Sequence, residues 1–143
     1  MNRFLVDASV GAKWAAPELI EPLADRANVF LRKYTAGSIR ILVPDLFWLE
    51  IGSALWKAAR RGTITPALAQ RSICAMIDHG FPTLPTKAVL PEALKIAVDF
   101  GRTVYDSSYV ALAVATGSQL ITADERLVNA LGSRFPVRWL GAI

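Results

Sequence analysis

Residues 103–124 read TVYDSSYVALAVATGSQLITAD, and the architecture turns on how they are divided. Asp106 and Asp124 are the charges in this run. A membrane-spanning helix needs roughly 20 mostly apolar residues. Here Ser107, Ser108, Thr116, Gly117, Ser118 and Gln119 interrupt the apolar character. The division that fits is a buried helix over Tyr105–Thr116, apolar nearly all round, followed by a short buried strand over Gln119–Thr122. A helix feeding a fully apolar strand is the mark of a parallel sheet covered on both faces.

The rest of the chain repeats this alternation. Arg3–Val6 is a strand-length run ending at Asp7, and a short helix is expected from Ser9, as its N-cap, to Ala16. Pro17 allows a restart. Glu18–Tyr34 then carries acids early and bases late, as a helix dipole favours, and Gly37 ends it. Ile39–Val43 is β-branched and stops at Pro44, so it reads as a strand. Asp45 is placed to cap a long helix running to Arg61, with Gly62 as its stop. Thr65-Pro66 opens another helix that closes at Gly80. Phe81–Thr86, with two prolines, reads as a weak edge strand. Lys87–Phe100 is amphipathic, with Val89, Leu90, Ala93, Leu94, Ala97 and Val98 on one face. Glu125–Leu131 is a short helix and Val137–Leu140 a last strand. The expectation is one α/β domain over residues 1–143, a parallel sheet between two helical layers. Sites in such folds lie at the carboxyl ends of strands, near a topological switch point.

Composition narrows the chemistry. The 143 residues are 53% hydrophobic and 20% charged, with 16 Lys plus Arg against 12 Asp plus Glu. Such a chain folds, because its apolar surface offsets the ordering entropy. A lone Cys74 and a lone His79 exclude a disulfide scaffold, a thiolate cluster and a histidine-rich zinc site. Any metal would have to be held mostly by oxygen. Only Phe4, Leu5 and Val6 separate Arg3 from Asp7, too few for a signal-peptide core. With the unpaired cysteine, this points to the cytoplasm. Cys74 and Met76 are expected in the core, and His79 at a helix end.

Four acids stand alone in apolar segments. Asp7 is the one charge between Arg3 and Lys13. Glu50 lies within LFWLEIGSALW, Asp106 within TVYDSSYVALAVA, and Asp124 follows QLIT. Desolvating an ion is expensive. An acid after a strand is often a helix cap, and an acid inside an apolar helix can pair with a buried arginine. Four in one small domain suggest a shared purpose, and no isolated base is expected to pair with them, since Lys and Arg cluster on polar stretches. Gathered carboxylates repel one another and take up protons unless a cation intervenes. Oxygen-only ligands select Mg²⁺, with Mn²⁺ able to substitute. Mg²⁺ takes only one or two carboxylates directly. Such a site can activate water for in-line displacement at a phosphodiester.

The pieces FLVDASV, PDLFWLEIGSAL, TVYDSSYVALA and LITADERLVNAL, in this order, resemble the PIN-domain family of metal-dependent ribonucleases. Within it they are most similar to VapC-type toxins of toxin–antitoxin modules. The resemblance implies a PIN-like three-layer domain with Asp7, Glu50, Asp106 and Asp124 as catalytic and metal-binding residues. It implies endonucleolytic cleavage of RNA by metal-activated water. It also implies a homodimer, a VapB-type antitoxin whose tail reaches the site, and contact with DNA only through that antitoxin. Ser9 stands where relatives often place a supporting Ser or Thr, with N-capping as the other reading. Glu125 beside Asp124 fits the first turn of a helix equally well.

Setting the four acids aside leaves 8 acids against 16 bases, a surround suited to RNA phosphates. Lys13, Arg32, Lys33, Lys57, Arg60 and Arg61 are the candidate contacts, the alternative being solvated helix ends. Trp14 could stack on a base or pack in the core. Phe47, Trp48 and Trp56 cannot all face one sheet, so some of them are expected at an interface. Two readings compete with a toxin nuclease. One is a PIN nuclease of RNA maturation or decay. The other is a non-catalytic binding module on the same fold.

Overall fold

The computed structural model describes residues 2–143. Its strands are β1 (Arg3–Val6), β2 (Arg40–Pro44), β3 (Thr83–Leu84), β4 (Gln119–Thr122) and β5 (Val137–Trp139). They form one sheet in the order β3-β2-β1-β4-β5, and every neighbouring pair is parallel. The helices are α1 (Ala8–Ala15), α2 (Ala24–Thr35), α3 (Asp45–Arg60), α4 (Pro66–Asp78), α5 (Leu90–Phe100), α6 (Val104–Thr116) and α7 (Glu125–Leu131). The chain moves from β1 to β3 in one direction and returns to β4 and β5 in the other. Right-handed crossovers therefore place α1–α4 on one face and α5–α7 on the opposite one. Leu5, Val6, Ile41, Val43, Leu120 and Ile121 are fully buried between these layers. The short, β-branched strands predicted from sequence are thus covered on both sides. No helix of the described residues is long and apolar enough to cross a membrane.

Close packing is set at one glycine. A Cβ added to Gly11 in α1 would lie 2.6 Å from the Phe47 ring and 2.8 Å from Ile51 Cδ1, both on α3. Gly11→Ala is expected to cost about 1–3 kcal/mol by overpacking, read as a lower midpoint in urea denaturation.

Several local expectations are corrected. Ser9 does not cap α1. Asp7 does, accepting from the Ser9 backbone N–H at 3.1 Å. The segment Glu18–Tyr34 is not one helix. A 3₁₀ turn at Pro17–Leu19 is followed by a break, with Ile20 and Leu23 at φ 48° and 66°. Pro22 cannot donate and disfavours helix in the residue before it. Asp45 is the first residue of α3 rather than its cap. Its Oδ1 accepts from the Leu46 N–H and from Thr86. Residues Thr86–Val89 form a 3₁₀ turn ahead of α5. On α5 the core face is Ala93 and Ile96, while Leu90, Leu94 and Val98 are 46%, 54% and 74% exposed. Cys74 is exposed, whereas Met76 is buried. Of the two readings for Trp14, core packing holds: it is buried, and its indole N–H donates to Ala27 O. Phe47 is buried and Trp56 exposed.

Candidate active site

The switch point lies between β1 and β4, the strands from which successive connections leave in opposite directions. Asp7 follows β1 and Asp124 follows β4, so the fold brings these two acids to adjoining strand ends. Asp7 is 8% exposed. Its two oxygens are held by hydroxyls: Ser9 Oγ donates to Oδ1 and Thr122 Oγ1 to Oδ2, each at 2.5 Å. Ser9 Oγ in turn accepts from the Ala123 N–H, and Thr122 Oγ1 from the Asp124 N–H. Neutral donors thus clamp Asp7 to the β4–α7 corner, and Ser9 supports the carboxylate two residues before it. Burial, opposed by these hydroxyls and reinforced by the Asp106 charge, raises the Asp7 carboxyl to about 6.

Glu50 projects from the second turn of α3, where Tyr109 Oη donates to its Oε1 at 2.7 Å. Burial raises its pKa, with the Tyr109 hydrogen bond opposing and Asp106 adding to the shift. The same environment raises the pKa of Tyr109 and keeps its proton on the phenol. Asp106 lies in the first turn of α6, whose cap Thr103 accepts from the Asp106 N–H. Its carboxylate therefore sits at the favourable end of a helix dipole. Asp124 caps α7, accepting from the Arg126 N–H at 3.0 Å.

Three residues of this site escaped the sequence reading. Thr122 and Tyr109 supply hydroxyls to Asp7 and Glu50. Arg102 supplies a charge, its Nη2 lying 3.4 Å from Asp106 and 3.9 Å from Asp124. The expectation that no base pairs with the isolated acids is corrected by this contact. The i, i+4 spacing of Arg102 and Asp106 was its one signal. Lys13 is corrected as well. It is buried and paired with Glu21 at 2.9 Å, so it offers no cation to solvent. Glu125 is exposed in the first turn of α7.

The sequence pattern of the PIN domain matches residues 4–131. This chain belongs to the PIN-domain family. Among PIN-domain relatives, ribonuclease VapC3 of Pyrobaculum aerophilum is 33% identical over 130 residues, spanning 89% of this chain and 93% of that one. The PIN-domain fold recurs in the crystal structure of PAE2754 from the same organism. The TM-score is 0.70 at 29% identity, covering 99% of this chain and 92% of that one. VapBC2 from Rickettsia felis, solved with a DNA fragment from its promoter, matches with a TM-score of 0.63. It covers 96% of this chain and 98% of that one at 11% identity, a likeness of fold alone.

Among the described residues, no three His, Cys, Asp or Glu side chains converge tightly enough to chelate an ion as they stand. Mg²⁺ keeps several waters and contacts few carboxylates directly, so it does not require a tight protein chelate. The donor set of this PIN domain is all oxygen, and Asp7 is a buried carboxylate whose nearest partners carry no charge. Such a group gains most from a divalent cation.

Proposed function

We propose that this PIN domain is a Mg²⁺-dependent endoribonuclease, the toxin of a type II toxin–antitoxin pair acting in the cytoplasm. The observation that carries this reading is Asp7. A carboxylate is buried at the switch point, oriented by two hydroxyls and pushed towards neutrality beside a second acid. Structural caps have no need of such an environment. Mg²⁺, or Mn²⁺ in its place, would supply Lewis acidity towards water and neutralise phosphodiester charge.

The chain's own residues prepare the site. Ser9 and Thr122 fix the orientation of Asp7, and Tyr109 fixes Glu50. Asp106 stands between them electrostatically, and Asp124 is held at the outer edge by its cap. These four would hold the ion and its water shell. Beyond them, Lys57, Arg60 and Arg61 are exposed at the end of α3. They lie about 10–17 Å along the helix from Glu50. This supports RNA contact outside the cleavage centre. Arg32 and Lys33 are exposed in the last turn of α2, near the start of β2 and so at the end of the sheet opposite the site.

The exposed α5 stripe of Leu90, Leu94 and Val98 supports a homodimer, since contiguous apolar surface marks interfaces. The apolar groove between α3 and α4, lined by Gly52, Leu55, Trp56 and Ile73, supports a docking place for an antitoxin segment. Leu94→Glu is expected to shift the sedimenting species towards monomer. An unchanged dimer would place the interface elsewhere.

Fragment chemistry tests the mechanism. Water attack with departure of the 3′ oxygen leaves 5′-phosphate and 3′-hydroxyl ends. Attack by the neighbouring 2′-hydroxyl leaves a cyclic phosphate. The expected products are internal fragments with 5′-phosphates. Cyclic phosphate ends would refute the water mechanism.

A further inference from the structure

The four site carboxylates divide into two unlike pairs. Asp7 and Glu50 are held by neutral hydroxyls from Ser9, Thr122 and Tyr109. Asp106 and Asp124 share a cation. Arg102 follows Gly101, whose φ of 66° ends α5 and turns the chain towards α6. One guanidinium nitrogen, Nη2, faces Oδ2 of Asp106 at 3.4 Å and Oδ2 of Asp124 at 3.9 Å. The other Asp124 oxygen is already engaged, accepting from the Arg126 N–H at 3.0 Å and facing Arg126 Nε at 3.7 Å.

Hydrogen bonding alone does not account for this arginine. Its side chain is 23% exposed, yet Nε is buried with no hydrogen-bond partner. Both contacts from Nη2 are long for charge-assisted hydrogen bonds. The guanidinium is placed for its charge, between carboxylates from two separate elements. Two-metal phosphodiester sites set their ions about 3.5–4 Å apart across shared acids. Here a fixed positive charge already occupies the neighbourhood of Asp106 and Asp124.

We propose that Arg102 is a positioning residue that stands in for a second divalent ion, so that the RNA-free site takes one Mg²⁺ or Mn²⁺. This rests on the metal-site reading above. The first ion goes to the side of Asp7 and Glu50, which no cation of the described residues pairs with. Arg102 keeps Asp124 and the far oxygen of Asp106 for the ion's water shell rather than for a second ion, which its charge repels.

Mn²⁺ binding to the full chain, read by electron paramagnetic resonance of the free ion and by calorimetry, tests this without an activity assay. The wild type and Arg102→Lys are expected to bind one Mn²⁺ per chain. Arg102→Met is expected to bind a second, with the first held about tenfold tighter by the more negative site. Two ions on the wild type or on Arg102→Lys would overturn the role of Arg102 and leave the metal site standing. No ion on the wild type would overturn both. One ion on Arg102→Met with unchanged affinity would also overturn it. Should that variant fail to fold, the wild-type and lysine stoichiometries still decide.

Discussion

Replacing Asp7 with asparagine is expected to slow RNA cleavage by at least about 10²–10³-fold while making the metal-free protein more stable at neutral pH. The two effects share one cause. Asp7 is buried, and its environment holds the carboxyl at about 6 instead of the ordinary 3.8. At pH 7.5 the folded protein therefore carries an anion that the unfolded chain accommodates more easily, a penalty of about 2–3 kcal/mol. Asparagine removes the charge; its oxygen accepts from Ser9, and its NH2 donates to the Thr122 hydroxyl, which turns to accept. Thermal melting with chelator present should give a higher Tm for Asp7→Asn, with cleavage lost. A lower Tm at pH 7.5 would mean that Asp7 is an ordinary stabilising cap.

The second large effect is a linkage between protons, metal and folding. The folded-state pKa of Asp7 lies above its unfolded value. Between about pH 4 and pH 6 the native state holds a proton that the unfolded chain has released. Stability from this group is thus fully present below pH 4 and is lost as pH rises through 6. Glu50 is shifted in the same direction. Mg²⁺ competes with that proton, so its stabilisation, which grows with the ratio of free ion to its Kd, should be large at pH 7.5 and small at pH 5. The difference in Tm between wild type and Asp7→Asn without metal should open across this interval. Saturating Mg²⁺ should narrow it. A Tm difference independent of pH would contradict the linkage.

Much of this was legible in the chain because isolated charge is conspicuous in apolar sequence. Gln119–Thr122 and Glu125–Leu131 are the bounds of β4 and α7, and Asp7, Glu50, Asp106 and Asp124 were each singled out by their surroundings. What escaped depends on tertiary placement. The partner of Glu50 is Tyr109, fifty-nine positions away, and the partner of Asp7 is Thr122, more than a hundred positions away. No local pattern announces either. Lys13 resembled a surface cation because its partner Glu21 seemed to belong to a helix. Pro22 breaks that helix and leaves Glu21 free to pair. The α5 stripe misled differently. Periodicity identifies an apolar face, and Leu90, Leu94 and Val98 form one, but it does not say whether the sheet or another molecule covers it.

If these carboxylates cut RNA only with a divalent cation, cleavage must follow the ion. The most direct measurement is the initial rate of internal cleavage of one end-labelled RNA by protein stripped with chelator, before and after Mg²⁺ is restored. Stripped wild type is expected to leave the RNA intact and to recover fully with Mg²⁺ or Mn²⁺. Asp7→Asn is expected to show no recovery at the same ion concentration. Cleavage by the stripped wild type, or equal recovery by Asp7→Asn, would contradict that dependence.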